Sequence, residues 1–121
     1  MNIKNLLYVV TTGPDEPMNM KSALMLAITA ASTGNKASVF FHLEGVKAIT
    51  TQGALNEGSG QYPGIREAVE QARAMGVGLY ASEESLMMHG LTSKDIIQGV
   101  KVVGSTKINE LMLESDAVLS L

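Results

Sequence analysis

Five short apolar runs recur along this chain, at Asn5 to Thr12, Lys36 to Phe41, Val77 to Ala81, Val100 to Val103 and Ala117 to Leu121, with helical segments between them. In the first, Leu6-Leu7-Tyr8-Val9-Val10, the apolar residues are consecutive. A strand buried on one face alternates apolar and polar residues, whereas a strand buried on both faces reads as an unbroken apolar run. Covering both faces of a sheet requires helices on both, which right-handed crossovers between parallel strands supply. The pattern predicts an α/β fold, a three-layer α/β/α sandwich with a five-stranded, mainly parallel sheet. Strand order is not encoded in periodicity.

The connecting segments carry their own punctuation. Gly13-Pro14-Asp15-Glu16-Pro17 ends the first run with turn chemistry, and Asn19 is a suitable N-cap for a helix from Met20 to Thr33 that Gly34-Asn35 closes. Between Ala23 and Ala31 only Thr29 is polar, so this helix is apolar nearly all round. Such a helix needs cover on two sides, and the chain's own sheet supplies one. The second is expected to be a subunit interface, the alternative being a roof of the chain's own loops. Ile65 to Met75 is amphipathic, with Ile65, Ala68, Val69, Ala72 and Met75 on one face, and Gly76 caps it. Lys47 to Thr51 forms at most one turn, and Thr92-Ser93-Lys94-Asp95 begins another. Glu83 to His89 and Ser105 to Glu114 complete the helices, with Gly90 ending the former. Gln52 to Gly64, with four glycines and Pro63, reads as a long loop. It lacks the Gly-Lys-Ser/Thr ending of a mononucleotide-binding loop.

Composition narrows the function classes. A chain of 121 residues accommodates one domain, 1–121, and no apolar run approaches the roughly 18 to 20 residues of a membrane span. With 45% hydrophobic and 17% charged residues it is expected to be soluble; without a cleavage pattern after Met1 to Val10, the cytoplasm is the expected location. Nine Lys plus Arg against twelve Asp plus Glu give a net charge of -3 and no basic cluster, which disfavours nucleic acid. The absence of cysteine excludes disulfides, thiolate metal ligands, thiol nucleophiles and persulfide carriage. With two histidines and no His-Glu cluster, neither a metal nor a cofactor is expected.

Chemistry is concentrated between Gly76 and Gly90, where the strand Val77 to Ala81 breaks at Ser82 into the acidic start of a helix, Glu83-Glu84. This junction belongs at the carboxyl edge of the sheet, where helix N–H groups favour negative charge. The simplest role for Ser82 is N-cap of its helix. A nucleophilic Ser82 requires a base, which His42 at the end of the second strand and Asp15 in the first loop could provide as a Ser-His-Asp set. His89, seven residues on, lies about two turns away and suits the C-terminal end of the dipole. Gly104-Ser105-Thr106-Lys107 can hold an anion or simply cap a helix. The eight methionines read as core and interface filler.

The ordered set of Gly13-Pro14-Asp15-Glu16-Pro17, the apolar helix ending at Gly34, Phe40-Phe41 followed by Glu44-Gly45-Val46, Leu79-Tyr80-Ala81-Ser82, Gly90-Leu91 and Ala117-Val118-Leu119 resembles the DsrE/DsrF-like (YchN-like) family across essentially the whole chain. The resemblance implies a five-stranded parallel sheet between helices and homotrimers or hexamers packed through helices. It also implies a site: sulfur-handling members carry a reactive cysteine in a Tyr-Ala-Cys type turn, and this chain has Ser82 at that position. A thiol at a helix N-terminus has a lowered pKa and yields a sulfur-accepting thiolate; a hydroxyl cannot hold sulfane sulfur. In sulfur-relay systems, related subunits without the cysteine act as scaffolds beside cysteine-bearing partners.

The expected function is a non-catalytic, homo-oligomeric binding or scaffold protein related to sulfur relays, with an anion or small-ligand pocket at the carboxyl edge. Its expected ligand-binding residues are Thr12, Gly13, Asp15, His42, Glu44, Gly45, Ala81, Ser82 and Glu83, and a partner protein of the sulfur-relay type is the other candidate occupant. Two alternatives stand beside it: a hydrolase or transferase using Ser82 with His42 and Asp15, and a degenerate sulfur-transfer protein.

Overall fold

The computed structural model describes residues 2–52 and 64–121. The elements run β1 (Asn5–Val10), α1 (Pro17–Ser32), β2 (Lys36–Phe41), a 3-10 segment (Leu43–Ile49), α2 (Ile65–Ala74), β3 (Gly78–Ser82), α3 (Glu83–Met88), a 3-10 turn (Ser93–Asp95), β4 (Lys101–Val103), α4 (Ser105–Glu114) and β5 (Ala117–Ser120). The strands form one sheet in the order β4-β3-β2-β1-β5, every neighbouring pair parallel. The loop expected at Gln52 to Gly64 lies, apart from its two ends, outside the described residues. Among the described residues no helix is long and apolar enough to cross a membrane.

Strand order accounts for the layers. The chain steps outward from β1 through β2 and β3 to β4, then returns across the sheet to set β5 beside β1. Right-handed crossovers put the helices of the outward steps on one face and the helix of the return step on the other. Side chains alternate accordingly. Tyr8, Val10, Val39, Phe41, Leu79 and Ala81 join the main core with Leu24, Ala27, Ala68 and Val69 of α1 and α2. Leu7 and Phe40 point the other way and pack with Leu111 of α4, flanked by Val9, Tyr80 and Ile108. The unbroken apolar runs thus have both faces occupied.

The cover is unequal. A ten-residue helix is about 15 Å long and 10 Å across, whereas five strands at about 4.8 Å spacing make a sheet about 19 Å wide. Among the described residues, one helix therefore leaves strips of the second face uncovered on either side of it. Lys107 lies 5.8 Å above the Tyr80 ring on one side, and β5 forms the margin on the other, where Val118, in register with Leu7, is nearly half exposed.

Two local departures from the expected elements have clear causes. Helix α1 begins at Pro17, not Met20, because proline's fixed φ suits the first helical position, where its missing N–H has no partner to lose. Asn19 is accordingly inside the helix, and its Nδ2 donates to Thr12 Oγ1 at 3.0 Å. The turn expected at Lys47 to Thr51 is a 3-10 segment starting at Leu43, with Val46, Ala48 and Ile49 buried. Gly45 permits this early start: a Cβ there would overlap the Val10 carbonyl. Within α1, Met20, Ala23, Leu24, Ala27 and Ala30 are buried, while Met18, Met25 and Leu26 stay exposed on the outer side.

Candidate functional site

The carboxyl ends of β1, β2 and β3 are level, Val10 beside Phe41 and Phe41 beside Ala81. His42 and Ser82 therefore leave neighbouring strands at the same height. The loop 11–16, the 3-10 segment and α3 meet over this edge.

Ser82 is the N-cap of α3. It is 5% exposed, and its Oγ accepts a hydrogen bond from the Ser85 amide at 3.1 Å. Ser85, one helical turn on, is fully buried, and its Oγ accepts from the Leu43 amide at 2.7 Å while lying 3.2 Å from His42 Nδ1. Leu43 itself adopts φ 53, a left-handed conformation uncommon for a residue other than glycine. The His42 ring also stacks on Phe40, with centroids 5.1 Å apart and planes inclined by 23°. Its backbone amide donates to the Val10 carbonyl at 2.9 Å, so ring and backbone are both held.

These bonds assign a tautomer. The Ser85 oxygen receives the Leu43 hydrogen, and among the described residues His42 Nδ1 is the acceptor within reach of the hydroxyl's own hydrogen, so the arrangement that satisfies every group directs that hydrogen to Nδ1. In the neutral ring the hydrogen then sits on Nε2.

The Ser82, His42 and Asp15 set is not assembled. His42 meets Ser85 rather than Ser82, because α3 starts immediately after β3 and turns the Ser82 oxygen toward its own first turn. Asp15 is exposed and, among the described residues, makes no hydrogen bond or ion pair with His42 or Ser82. Thr12 is half-buried and accepts from Asn19. Gly13 packs against Glu44, where an added Cβ would come within 3.1 Å of the Glu44 carbonyl oxygen. Ala81 is part of the main core, and Glu83 is exposed on the first turn of α3. Glu44 faces outward, 2.8 Å from Lys47 Nζ and 3.6 Å from His89 Nε2. The hydrogen bond from Lys47, with the charges of Lys47 and His89 added, holds its carboxyl below the usual glutamate range against an opposing desolvation.

Beneath α4 a groove of about 400 Å³ opens toward the same edge. Leu7, Val9 and Phe40 form its floor and His42 stands at the end of it. Ile108, Asn109 and Met112 supply the α4 wall, Val118 and Ser120 the β5 wall, and Ser105 and Glu84 the rim. Among the described residues Glu84 is its only carboxylate, and no lysine or arginine lines it. Of the residues singled out in the sequence, His42, Glu84 and Ser105 reach this groove.

Ser85, Phe40 and the α4 wall are the residues that sequence reasoning missed. Phe40 had a legible signal, since it lies two residues before His42 on a strand and so shares its face. Ser85 had a weaker one, its position three residues after an N-cap serine. The α4 residues had none, because their partner strands depend on the return of β5 across the sheet.

The DsrE/DsrF-like family is matched over residues 4–121. The fold resembles the crystal structure of the ychN protein from E. coli, with a TM-score of 0.81 and 18% identity over 98% of this chain and 100% of that one. It also resembles MTH1491 of Methanobacterium thermoautotrophicum, a protein of unknown function, with a TM-score of 0.64 and 17% identity over 99% and 100% of the two chains. Among curated proteins none matches.

Proposed function

We propose that this chain, which belongs to the DsrE/DsrF-like family, works as a non-catalytic subunit of a cytoplasmic homo-oligomer, binding a small ligand at the carboxyl edge or scaffolding a partner of the sulfur-relay type. The observation that carries the reading is the state of Ser82. Its hydroxyl is buried and engaged as a helix cap, and the chain has no cysteine to take its place. A nucleophile needs an adjacent base and access to substrate, and a sulfur carrier needs a thiolate. Ser82 has neither accessibility nor a hydrogen bond to His42.

Oligomerisation is supported by α1. Met18, Met25 and Leu26 are 38 to 47% exposed on a helix whose opposite side is fully packed. Exposed apolar surface concentrated on one helix face favours association through that face. The expected product is a trimer or hexamer.

Native mass spectrometry of the freshly purified protein tests the proposal. A trimeric or hexameric mass, with or without a retained small molecule, agrees with it; a monomer that retains nothing refutes it. A fluorophosphonate probe is expected to leave Ser82 unlabelled, and stoichiometric labelling there would establish the hydrolase alternative instead.

A further inference from the structure

His42 is more tightly held than a scaffold requires. Phe40 supports its ring, Val10 holds its amide, and the fully buried Ser85 hydroxyl occupies Nδ1. The assigned tautomer leaves Nε2–H as the ring's remaining donor, and among the described residues nothing accepts from it. The ring lines a groove whose volume, about 400 Å³, falls within the range of about 300 to 1,000 Å³ usual for small-molecule sites. Leu7, Val9, Ile108, Met112 and Val118 make that groove mainly apolar. Its charge is informative: Glu84 is on the rim, with no cation among the described lining residues to balance a second negative group.

We infer that the groove beneath α4 binds a small uncharged molecule with an apolar body and a hydrogen-bond-accepting end, the accepting atom being received by His42 Nε2–H. An anionic ligand would enter a mainly apolar groove beside Glu84 with no lysine or arginine among its described lining residues. A cation would pair with Glu84 at the rim but leave the inner donor unmatched. A carbonyl or ether oxygen on an apolar frame satisfies the donor and the walls together. The inference rests on the small-ligand part of the proposed function and narrows it from an anion or small ligand to an uncharged one.

The test uses 3-phenylpropanamide and 3-phenylpropanoate, which share a body and differ in the charge of the head. Each is titrated into the intact ¹⁵N-labelled protein while amide shifts are followed, and the same sample is weighed by native mass spectrometry. The amide is expected to bind saturably, with shifts at Phe40, His42, Ile108 and Val118, and at least about tenfold more tightly than the carboxylate. His42→Phe keeps a ring over Phe40 and removes the donor, and should weaken amide binding about tenfold. Ile108→Trp fills the groove from the α4 side without touching Ser85 and should abolish binding. The inference is overturned if the carboxylate binds as tightly as the amide, if the amide shows no saturable binding up to about 10 mM, or if Ile108→Trp binds it undiminished. An intact oligomer that fails to bind the amide overturns this inference alone; a monomer that binds it saturably overturns the oligomeric reading alone.

Discussion

Ser85 is the residue on which the carboxyl edge turns. Its one hydroxyl links three elements: it lies on α3, accepts from the Leu43 amide of the 3-10 segment, and meets the imidazole at the end of β2. Replacing it with alanine leaves a part-buried N–H unpaired, which typically costs about 1 to 3 kcal/mol. Ser85→Ala is therefore expected to lower the urea midpoint by an amount in that range without changing the slope of the transition. The same substitution should be visible on His42. Long-range ¹H–¹⁵N spectra of the native protein at alkaline pH should show hydrogen on Nε2 only, and the variant should show both tautomers in exchange. A purely structural role for Ser85 would lower stability and leave the tautomer untouched.

Among the elements, α4 and the 3-10 segment make opposite kinds of contact. Helix α4 is held through a narrow strip: Leu111 is 8% exposed against Leu7 and Phe40, while Leu113, two residues away on the same helix, is 87% exposed. Leu111→Ala should cost about 2 to 4 kcal/mol in chemical denaturation, and Leu113→Ala less than about 0.5 kcal/mol. Equal effects would mean that α4 does not pack as described. Within the 3-10 segment Glu44 pairs with Lys47, and it also lies 3.6 Å from His89 at the end of α3, a contact that is ionic only when the imidazole is protonated. Because the folded state lowers the Glu44 pKa, its contribution is present above the ordinary glutamate range and disappears as pH falls through the lowered value. Glu44 is solvent-exposed, so the contribution is small and sensitive to salt. The melting temperature of the native protein should exceed that of Glu44→Gln near neutral pH, and the two should converge as pH falls through the lowered glutamate range; a gap that widens on acidification would contradict the assigned sign.

For the whole molecule, the two faces of the sheet have different fates. The α1 and α2 face is filled by the chain itself, and its outermost surface, at Met18, Met25 and Leu26, is the expected contact between subunits. Leu26→Glu places a charge in that contact at a position already 40% exposed, where a monomer would tolerate it. Light scattering should show the variant dissociated toward monomers with the circular dichroism of the fold retained. An unchanged mass would remove α1 from the interface. Among the described residues the α4 face is incompletely covered, and that shortage of cover, one short helix over five strands, creates the groove.

The α/β class and the strand and helix segments were legible in local sequence, because each depends on chemistry within a few residues. Unbroken apolar runs required burial on both faces, and Lys36–Phe41 and Ser105–Glu114 fall where the residues placed them. Gly76 caps α2 with φ 83, as a residue free of Cβ can. Ser82 as a cap was legible for the same reason: the bond it makes spans three residues. What local sequence could not carry was the pairing of distant segments. The return of β5 to the side of β1 decides which strands lie beneath α4 and leaves the groove open. The joining of His42 to Ser85, 43 residues apart, depends on the ends of β2 and β3 reaching one height. An imidazole shows its partner only when the chain has closed around it, so local sequence offered Ser82 to His42 only in the alternative, enzymatic reading, and Ser85 holds that place in the fold.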